Sequence, residues 1–267
     1  MDLGYEGASA AVTGGTKGMG RAIGECLAGE GAKVAVLARH QADLDETVEA
    51  LKRAGAPDAM GVATDVTKAE EVNAAFAAIG ERWGSLNALV NTVGPGAAKF
   101  EDLGDDDWGA VFEMGLMAAV RATRAALPLL RAAEWARIVN ISAHSTQRQS
   151  PLLVAYTASK SALTSVSKNL AKSLAPEGIL VNTVSPGSIV TASFSEGLRP
   201  MFAAEDLDPT DPYDVMTWIE KHFHQPADLG RAGLPVEIAV VVTFLASRTN
   251  GYVTGADVNV DGGSDFR

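Results

Sequence analysis

The amino-acid sequence predicts an α/β fold, a single doubly wound parallel sheet with helices on both faces. Two observations predict it. Short apolar runs alternate with longer helical stretches from the first run, residues 8–13, to the last, residues 257–260. Glycine or polar residues end the first four runs, at Gly14, Arg39, Asp65 and Asn91. Such alternation implies parallel strands covered by helices, and these sheets bind ligands at the carboxyl ends of their strands.

The individual elements follow in order along the chain. Strands are predicted at apolar runs bounded by glycine or polar residues, and helices at longer stretches that glycine or proline ends, as at Gly55 and Pro176. The predicted strands are 8–13, 33–38, 59–64, 86–90, 138–141, 178–184 and 257–260. The predicted helices are 21–29, 43–54, 68–83, 108–119, 156–175 and 235–246.

Length and composition fit one domain that spans residues 1–267. Of the 267 residues, 47% are hydrophobic and 21% charged, which suits a globular protein with a buried core. The net charge of -11 argues against nucleic acid and anionic membranes as partners. The single cysteine, Cys26, rules out an internal disulfide. Because signal-peptide regions and apolar stretches of about 18 residues are also lacking, we expect a cytoplasmic protein.

The turn after the first strand predicts a phosphate-binding site. Its glycines allow a tight turn and a close approach of the backbone to a pyrophosphate, whose charge the following helix N-terminus attracts. The spacing differs from the common fingerprint G-x-G-x-x-G. A glycine-rich loop without a ligand is the alternative. The residues concerned are Gly14, Thr16, Lys17, Gly18, Met19 and Gly20.

The end of the second strand indicates which dinucleotide binds. An acidic residue there suits the ribose hydroxyls of NAD, whereas an arginine suits the 2′-phosphate of NADP. Arg39 follows this strand, and no acidic residue precedes Asp43. Lys17 adds a second positive charge nearby. The sequence therefore favours NADP(H), with NAD(H) as the alternative cofactor. The other interpretation is that Arg39 and Lys17 are solvated surface charges.

Tyr156 and Lys160 lie four positions apart at the start of the helix 156–175. Side chains with this spacing share one face of a helix, so the phenol and the ammonium are expected to point into the same space. A phenol with a pKa of about 10 is a poor acid at neutral pH, and a neighbouring cation lowers that pKa. The pair therefore indicates general acid–base catalysis, with chance spacing of two surface residues as the alternative.

Residues 192–229 form an unusually long connection between the predicted elements, and long connections are often lids or binding loops. Acidic residues alternate with an apolar set that predicts a helical lid over a hydrophobic substrate. A surface excursion that packs on its own domain or on another subunit is the alternative. His222 and His224 lack partners for a metal site, and none is predicted. The apolar set is Met201, Phe202, Val215, Met216, Trp218, Ile219 and Phe223.

In this order, the motifs resemble those of the short-chain dehydrogenase/reductase family over residues 7–263. The glycine turn, Asp65-Val66, Asn91-Thr92-Val93-Gly94 and the Tyr156/Lys160 pair each have a counterpart there. The resemblance implies a Rossmann-like fold, contact of Asp65 and Val66 with the adenine, and contact of Asn91 with the cofactor side of the site. It also implies that Tyr156 and Lys160 are catalytic and that Lys160 binds the nicotinamide ribose. The loop implied to hold the nicotinamide amide contains Pro186, Gly187, Ile189 and Thr191.

The sequence departs from the family pattern at two positions. Gly115 stands where members usually carry an asparagine, and Ala143, thirteen positions before Tyr156, stands where they carry the catalytic serine. Ser142 is the first choice to replace that serine and Ser145 the second, while a backbone-bonded Ser142 is the alternative. His144 is expected to be a plain loop residue or a polar neighbour of the site.

The resemblance implies an oxidoreductase that interconverts a ketone or aldehyde and an alcohol with NADP(H). A 3-oxoacyl thioester, a steroid or a xenobiotic carbonyl is open as the substrate. The rival interpretation is a catalytically weak or inactive NADP(H)-binding scaffold or sensor of the same fold. Family members commonly assemble, so a homodimer or homotetramer is expected.

Overall fold

A computed structural model describes residues 2–224 and 226–264. Its sheet has seven strands, all parallel, in the spatial order β3-β2-β1-β4-β5-β6-β7. The order reverses between β1 and β4, which opens a crevice at the carboxyl ends of these two strands. The strands are β1 (Ser9–Thr13), β2 (Lys33–Ala38), β3 (Ala59–Ala63), β4 (Ala88–Asn91), β5 (Ala136–Ile141), β6 (Ile179–Pro186) and β7 (Asp257–Val260).

Nine α-helices occur within the described ranges, and none of them has the length and apolar character needed to cross a membrane. The helices are α1 (Gly18–Gly29), α2 (Gln41–Ala54), α3 (Ala69–Trp83), α4 (Asp105–Phe112), α5 (Ala118–Ala132), α6 (Val154–Leu174), α7 (Ala192–Ala203), α8 (Pro212–Phe223) and α9 (Pro235–Leu245).

Alternating side chains of the strands pack on opposite faces of the sheet, as the pleat requires. On β1, Ala10 and Val12 belong to one apolar cluster, together with Ile23 of α1 and Ile238 of α9. Ala11 belongs to the second cluster, on the opposite face, which α3 and α5 cover. Because both faces are buried, the strands are continuous apolar runs, as parallel strands are. The predicted doubly wound parallel sheet is confirmed.

The elements differ from the prediction mainly after β4 and after β6. The single helix predicted over 108–119 is α4, followed by one π-helical turn, Glu113–Met117, and then α5. The segment 192–229 holds two helices, α7 and α8, and their apolar side chains form a third cluster around Phe202 and Trp218. A period of 3.6 residues predicts helix in general, but it carries no signal for the extra residue of a π turn.

Gly115 lies inside this π turn and packs directly on α6. A Cβ atom on Gly115 would overlap Ser159 Oγ and would lie 2.8 Å from Ser159 Cβ. Ser159 is fully buried, and its hydroxyl donates a hydrogen bond to the Tyr156 carbonyl oxygen at 2.8 Å. The serine therefore occupies the space into which a larger residue at position 115 would extend.

We expect Gly115→Ala to destabilise the protein by about 1–3 kcal/mol, because overpacking a buried contact forces neighbouring atoms to shift. Gly109→Ala is the matched control: a Cβ atom on Gly109 of α4 meets no atom within 4 Å. This control should raise the free energy of unfolding by up to about 1 kcal/mol, because alanine favours helix over glycine. Urea unfolding measures both variants, and equal stability of Gly115→Ala and wild type would contradict the packing described.

Candidate active site

The ammonium group of Lys160 is buried between two strand ends. Its Nζ donates hydrogen bonds to the carbonyl oxygen of Ile141, at the end of β5, at 2.8 Å and to that of Val93, after β4, at 3.3 Å. Burial lowers the pKa of Lys160 to about 8, because a low-dielectric environment disfavours the charged form. The side chain thus brings α6 to the carboxyl ends of both strands.

Tyr156 lies one helical turn before Lys160, and both residues line the same cavity of about 470 Å³. The shared helix face predicted from the spacing is confirmed in this respect. The predicted lowering of the phenol pKa is wrong for the protein alone. Burial raises the pKa of Tyr156 to about 12, because the phenolate loses its hydration. Residue spacing contains no measure of that burial, so only the stabilising cation was visible in the sequence.

Buried polar side chains hold β1, β4, β5 and α6 together beneath the cavity. Asn91 Nδ2 donates a hydrogen bond to Asn140 Oδ1 at 2.8 Å, and Asn140 Nδ2 donates one to Ser167 Oγ of α6 at 2.9 Å. Thr13 Oγ1 donates to Asn91 Oδ1 at 3.2 Å. Asn91 therefore links neighbouring strands and is not among the lining residues of either cavity, while its contact with the cofactor stays a prediction.

The two candidate serines differ in how their hydroxyls are engaged. Ser142 Oγ lies 2.8 Å from Thr164 Oγ1 and donates to the Lys160 carbonyl oxygen at 3.3 Å. Ser145 Oγ instead accepts a hydrogen bond from Thr157 Oγ1 at 2.9 Å, which leaves its own proton available. Both serines line the cavity. The contacts therefore reverse the predicted preference for Ser142 and favour Ser145 as a donor to a ligand.

His144 and Ala143 also line this cavity. Ala143, at the position where a catalytic serine was expected, is buried. His144 follows β5, and its Nδ1 lies 3.1 Å from the carbonyl oxygen of Pro186, the last residue of β6. Of the two alternatives for His144, its place in the cavity lining favours the polar neighbour of the site over the plain loop residue, which the sequence had favoured.

A second cavity, of about 520 Å³, lies over the glycine turn. It shares Met19, Thr92 and Gly94 with the first cavity, so the two form neighbouring parts of one cleft. Five of the six predicted turn residues line it. Gly18 is not among them and instead packs near Thr191: a Cβ atom on Gly18 would come 3.3 Å from Thr191 Cγ2. The other predicted lining residues are Arg39, Asp65 and Val66.

The glycine turn fits the phosphates of a dinucleotide. A Cβ atom on Gly20 would overlap the Gly14 carbonyl oxygen and come within 2.8 Å of Thr92 Oγ1, so only glycine permits this close turn. Helix α1 begins at Gly18, and its first amides face the same end of the sheet. A helix N-terminus behind a bare backbone turn is the arrangement that binds phosphate.

The charged residues of the second cavity are not equally available to a ligand. Lys17 Nζ forms an ion pair with Asp43 Oδ2 at 3.0 Å. Asp65 accepts hydrogen bonds from the Thr67 hydroxyl and amide, which lowers its pKa. Arg39 is exposed, and no hydrogen bond or ion pair of its guanidinium is found among the described residues. Of the two cations predicted to bind a 2′-phosphate, Arg39 is therefore the better candidate.

The loop after β6 and the two following helices close one side of the first cavity. Pro186, Gly187, Ile189 and Thr191 all line it, as predicted for the cofactor loop. From the predicted lid, Ile219 and Phe223 contribute apolar surface. Met201 departs from the prediction, because its side chain is 55% exposed. Lining residues that were not predicted from the sequence include Pro95, Ile141, Leu153, Ser188 and Phe194. The apolar ones carried no motif that distinguishes a cavity wall from core.

Comparison with known proteins agrees with this arrangement. The family model described as short chain dehydrogenase matches residues 8–199. The short-chain reductase protein NovJ of Streptomyces niveus is 35% identical over 95% of this chain and 92% of its own length.

Two solved structures share the fold across nearly the whole chain. The L-sorbose reductase of Gluconobacter frateurii, in complex with NADPH and L-sorbose, is 29% identical with a TM-score of 0.91 and covers 100% of both chains. A variant of actinorhodin polyketide ketoreductase with NADPH is 31% identical with a TM-score of 0.86, over 97% of this chain and 98% of its own. By its sequence, its sheet and its cleft, the chain belongs to the short-chain dehydrogenase family of oxidoreductases.

Proposed function

We propose that this protein is an NADP(H)-dependent oxidoreductase that interconverts a ketone or aldehyde and the corresponding alcohol. The observation that carries the proposal is the position of Tyr156 and Lys160 on one wall of a cavity that joins the cleft over the glycine turn. A phenol and a buried cation beside a dinucleotide cleft are what proton transfer to a substrate oxygen requires. The NADPH complexes of both similar structures support the same cofactor class here.

The roles of the residues follow from their contacts. When bound, the nicotinamide supplies a hydride to the carbonyl carbon. Tyr156 keeps its proton at neutral pH, because its pKa is about 12, and it donates that proton to the oxygen on which negative charge develops. Lys160 keeps its position through the Ile141 and Val93 carbonyls, and its charge favours the phenolate that remains.

Ser145 is proposed to orient the substrate carbonyl. Its hydroxyl proton is free to donate, since Thr157 occupies its lone pair. Such a donor stabilises the negative charge that develops on the carbonyl oxygen. Ser142 is proposed to act on α6, through Thr164 and the Lys160 carbonyl, rather than on the substrate.

The cavity walls favour a substrate that is uncharged and largely apolar. Leu153, Phe194, Ile219 and Phe223 contribute hydrocarbon surface. Lys160 is the one cation among the described lining residues, and its ammonium is directed at backbone carbonyls. A free ketone is therefore a better candidate than a substrate that needs a salt bridge for its carboxylate or phosphate.

We expect Tyr156→Phe to lower kcat for ketone reduction by roughly 10²–10⁴-fold, because the variant retains the ring and loses the acidic proton. A panel of aryl and alkyl ketones with NADPH, followed by nicotinamide absorbance, measures this. NADPH affinity, from cofactor fluorescence, should change little. Tight NADPH binding by the wild type with no turnover of any ketone would instead support the scaffold interpretation.

Arg39 is proposed to bind the 2′-phosphate of NADP(H). Its guanidinium lies on the cavity wall beyond β2 and has no competing ion pair among the described residues. Lys17 contributes less, since Asp43 already neutralises its charge. A guanidinium matches phosphate geometry with two parallel hydrogen bonds.

Arg39→Ala should weaken NADPH binding by roughly tenfold or more and leave NADH binding nearly unchanged, because a hydrogen bond to a charged group contributes about 1.5–3 kcal/mol. Titration of both cofactors gives the two dissociation constants. Arg53→Ala, which removes an exposed arginine from the last turn of α2, is the matched control. Equal losses for NADPH and NADH in Arg39→Ala would exclude this role.

The helices α7 and α8 are proposed to be a substrate lid. Phe202 and Trp218 stack at 5.1 Å between ring centroids, which joins the two helices into one apolar unit. This cluster is separate from the two clusters of the sheet. A unit with its own small core can move against the sheet and keep its internal packing.

A bound apolar ketone should slow hydrogen exchange of the α7 and α8 amides when NADP+ is also present, because closure over the substrate protects them. Mass spectrometry with and without ketone measures the effect. Helix α2, on the far side of the cleft, serves as the internal reference. Unchanged exchange in residues 192–223 would mean that these helices are a fixed wall.

A further inference from the structure

The half-buried imidazole of His144 has no assigned role in the mechanism proposed above. His144 lies in the short turn that follows β5, directly after Ala143. Its side chain is half-buried and lines the same cavity as Tyr156. Of the groups on this wall, it is the largest polar side chain that the mechanism above does not use.

The partner of Nδ1 fixes which nitrogen carries the proton. Nδ1 lies 3.1 Å from the Pro186 carbonyl oxygen, and a carbonyl oxygen only accepts. Nδ1 therefore donates, and in the neutral ring Nε2 is an acceptor with an exposed lone pair. Within residues 2–224 and 226–264, no hydrogen bond to Nε2 is found.

Three other polar groups that line this cavity can donate hydrogen bonds. Tyr156 and Ser145 each offer a hydroxyl proton, and Lys160 donates to backbone carbonyls. A substrate that brings only a carbonyl satisfies these donors and leaves His144 Nε2 without a partner. A substrate that also carries a hydroxyl supplies the missing proton.

We propose that His144 determines substrate specificity by accepting, at Nε2, a hydrogen bond from a hydroxyl group beside the carbonyl that is reduced. The preferred substrates are then hydroxyketones with an apolar remainder, which suits the wall formed by Leu153, Phe194 and Phe223. The inference rests on the proposed ketone reduction and adds the substrate class to it.

The test compares hydroxymethyl phenyl ketone with its methyl ether, which has the same acceptors and no hydroxyl proton. The measured quantity is the ratio of their kcat/KM values with NADPH. Wild type should prefer the hydroxyketone. His144→Phe should reduce the ratio by roughly 2- to 12-fold, the equivalent of one neutral hydrogen bond. His144→Gln, whose amide oxygen also accepts, should restore part of it, and His144→Ala repeats the test without added bulk.

The matched control is His222→Phe, the same change at an imidazole that bonds to Glu205 at 2.7 Å and lies outside the cavity lining. Its ratio should equal that of wild type. An unchanged ratio in both His144→Phe and His144→Ala would overturn the proposal, as would an equal loss for the two ketones. If wild type reduces neither of these nor any other ketone, the proposed function itself fails. Reduction of other ketones alone would overturn only the inference about His144.

Discussion

A buried ammonium group positions the candidate active site. Lys160 is held by carbonyl oxygens at the ends of β4 and β5. Because α6 is anchored there, Tyr156 one turn earlier must face the cavity at the carboxyl edge of the sheet. Burial of the cation is costly, which its pKa of about 8 reflects. This cost falls at the carboxyl ends of β4 and β5, where the cavity lies.

The surrounding sheet makes this position rigid. The chain of hydrogen bonds from Thr13 through Asn91 and Asn140 to Ser167 ties three strands to α6. Buried polar networks of this kind specify one arrangement when every member has a partner. Helices α7 and α8 have their own small apolar core. In the proposed function, the wall that carries Tyr156 and Lys160 faces this apolar unit, and the substrate binds between them.

The sequence predicted the features that follow from hydrophobic periodicity and from backbone geometry. It predicted fewer of the features that follow from burial. Parallel strands follow from apolar runs, and the glycine turn follows from contacts that only glycine allows, as at Gly20. Spacing placed Tyr156 and Lys160 on one wall. The predicted direction of the Tyr156 pKa shift was wrong, because the sequence shows the neighbouring charge of Lys160 but does not show that the phenol is buried.

Other differences depend on partners that lie far apart in the chain. Asn91 donates a hydrogen bond to Asn140 of the neighbouring strand, and Ser145 accepts one from Thr157. His144 is oriented by Pro186, which belongs to another strand. No local pattern encodes these pairs. The overlap of Gly115 with Ser159 is of the same kind, since it depends on how α6 crosses the π turn.

The most direct measurement of the central claim is label transfer from NADPH that carries deuterium at the transferable C4 position. With hydroxymethyl phenyl ketone or another ketone that is turned over, one deuterium should appear on the carbinol carbon of the alcohol, and Tyr156→Phe should slow its appearance by roughly 10²–10⁴-fold. Label that stays on the bound nicotinamide with every ketone, or transfer that is equally fast in Tyr156→Phe, would contradict the account.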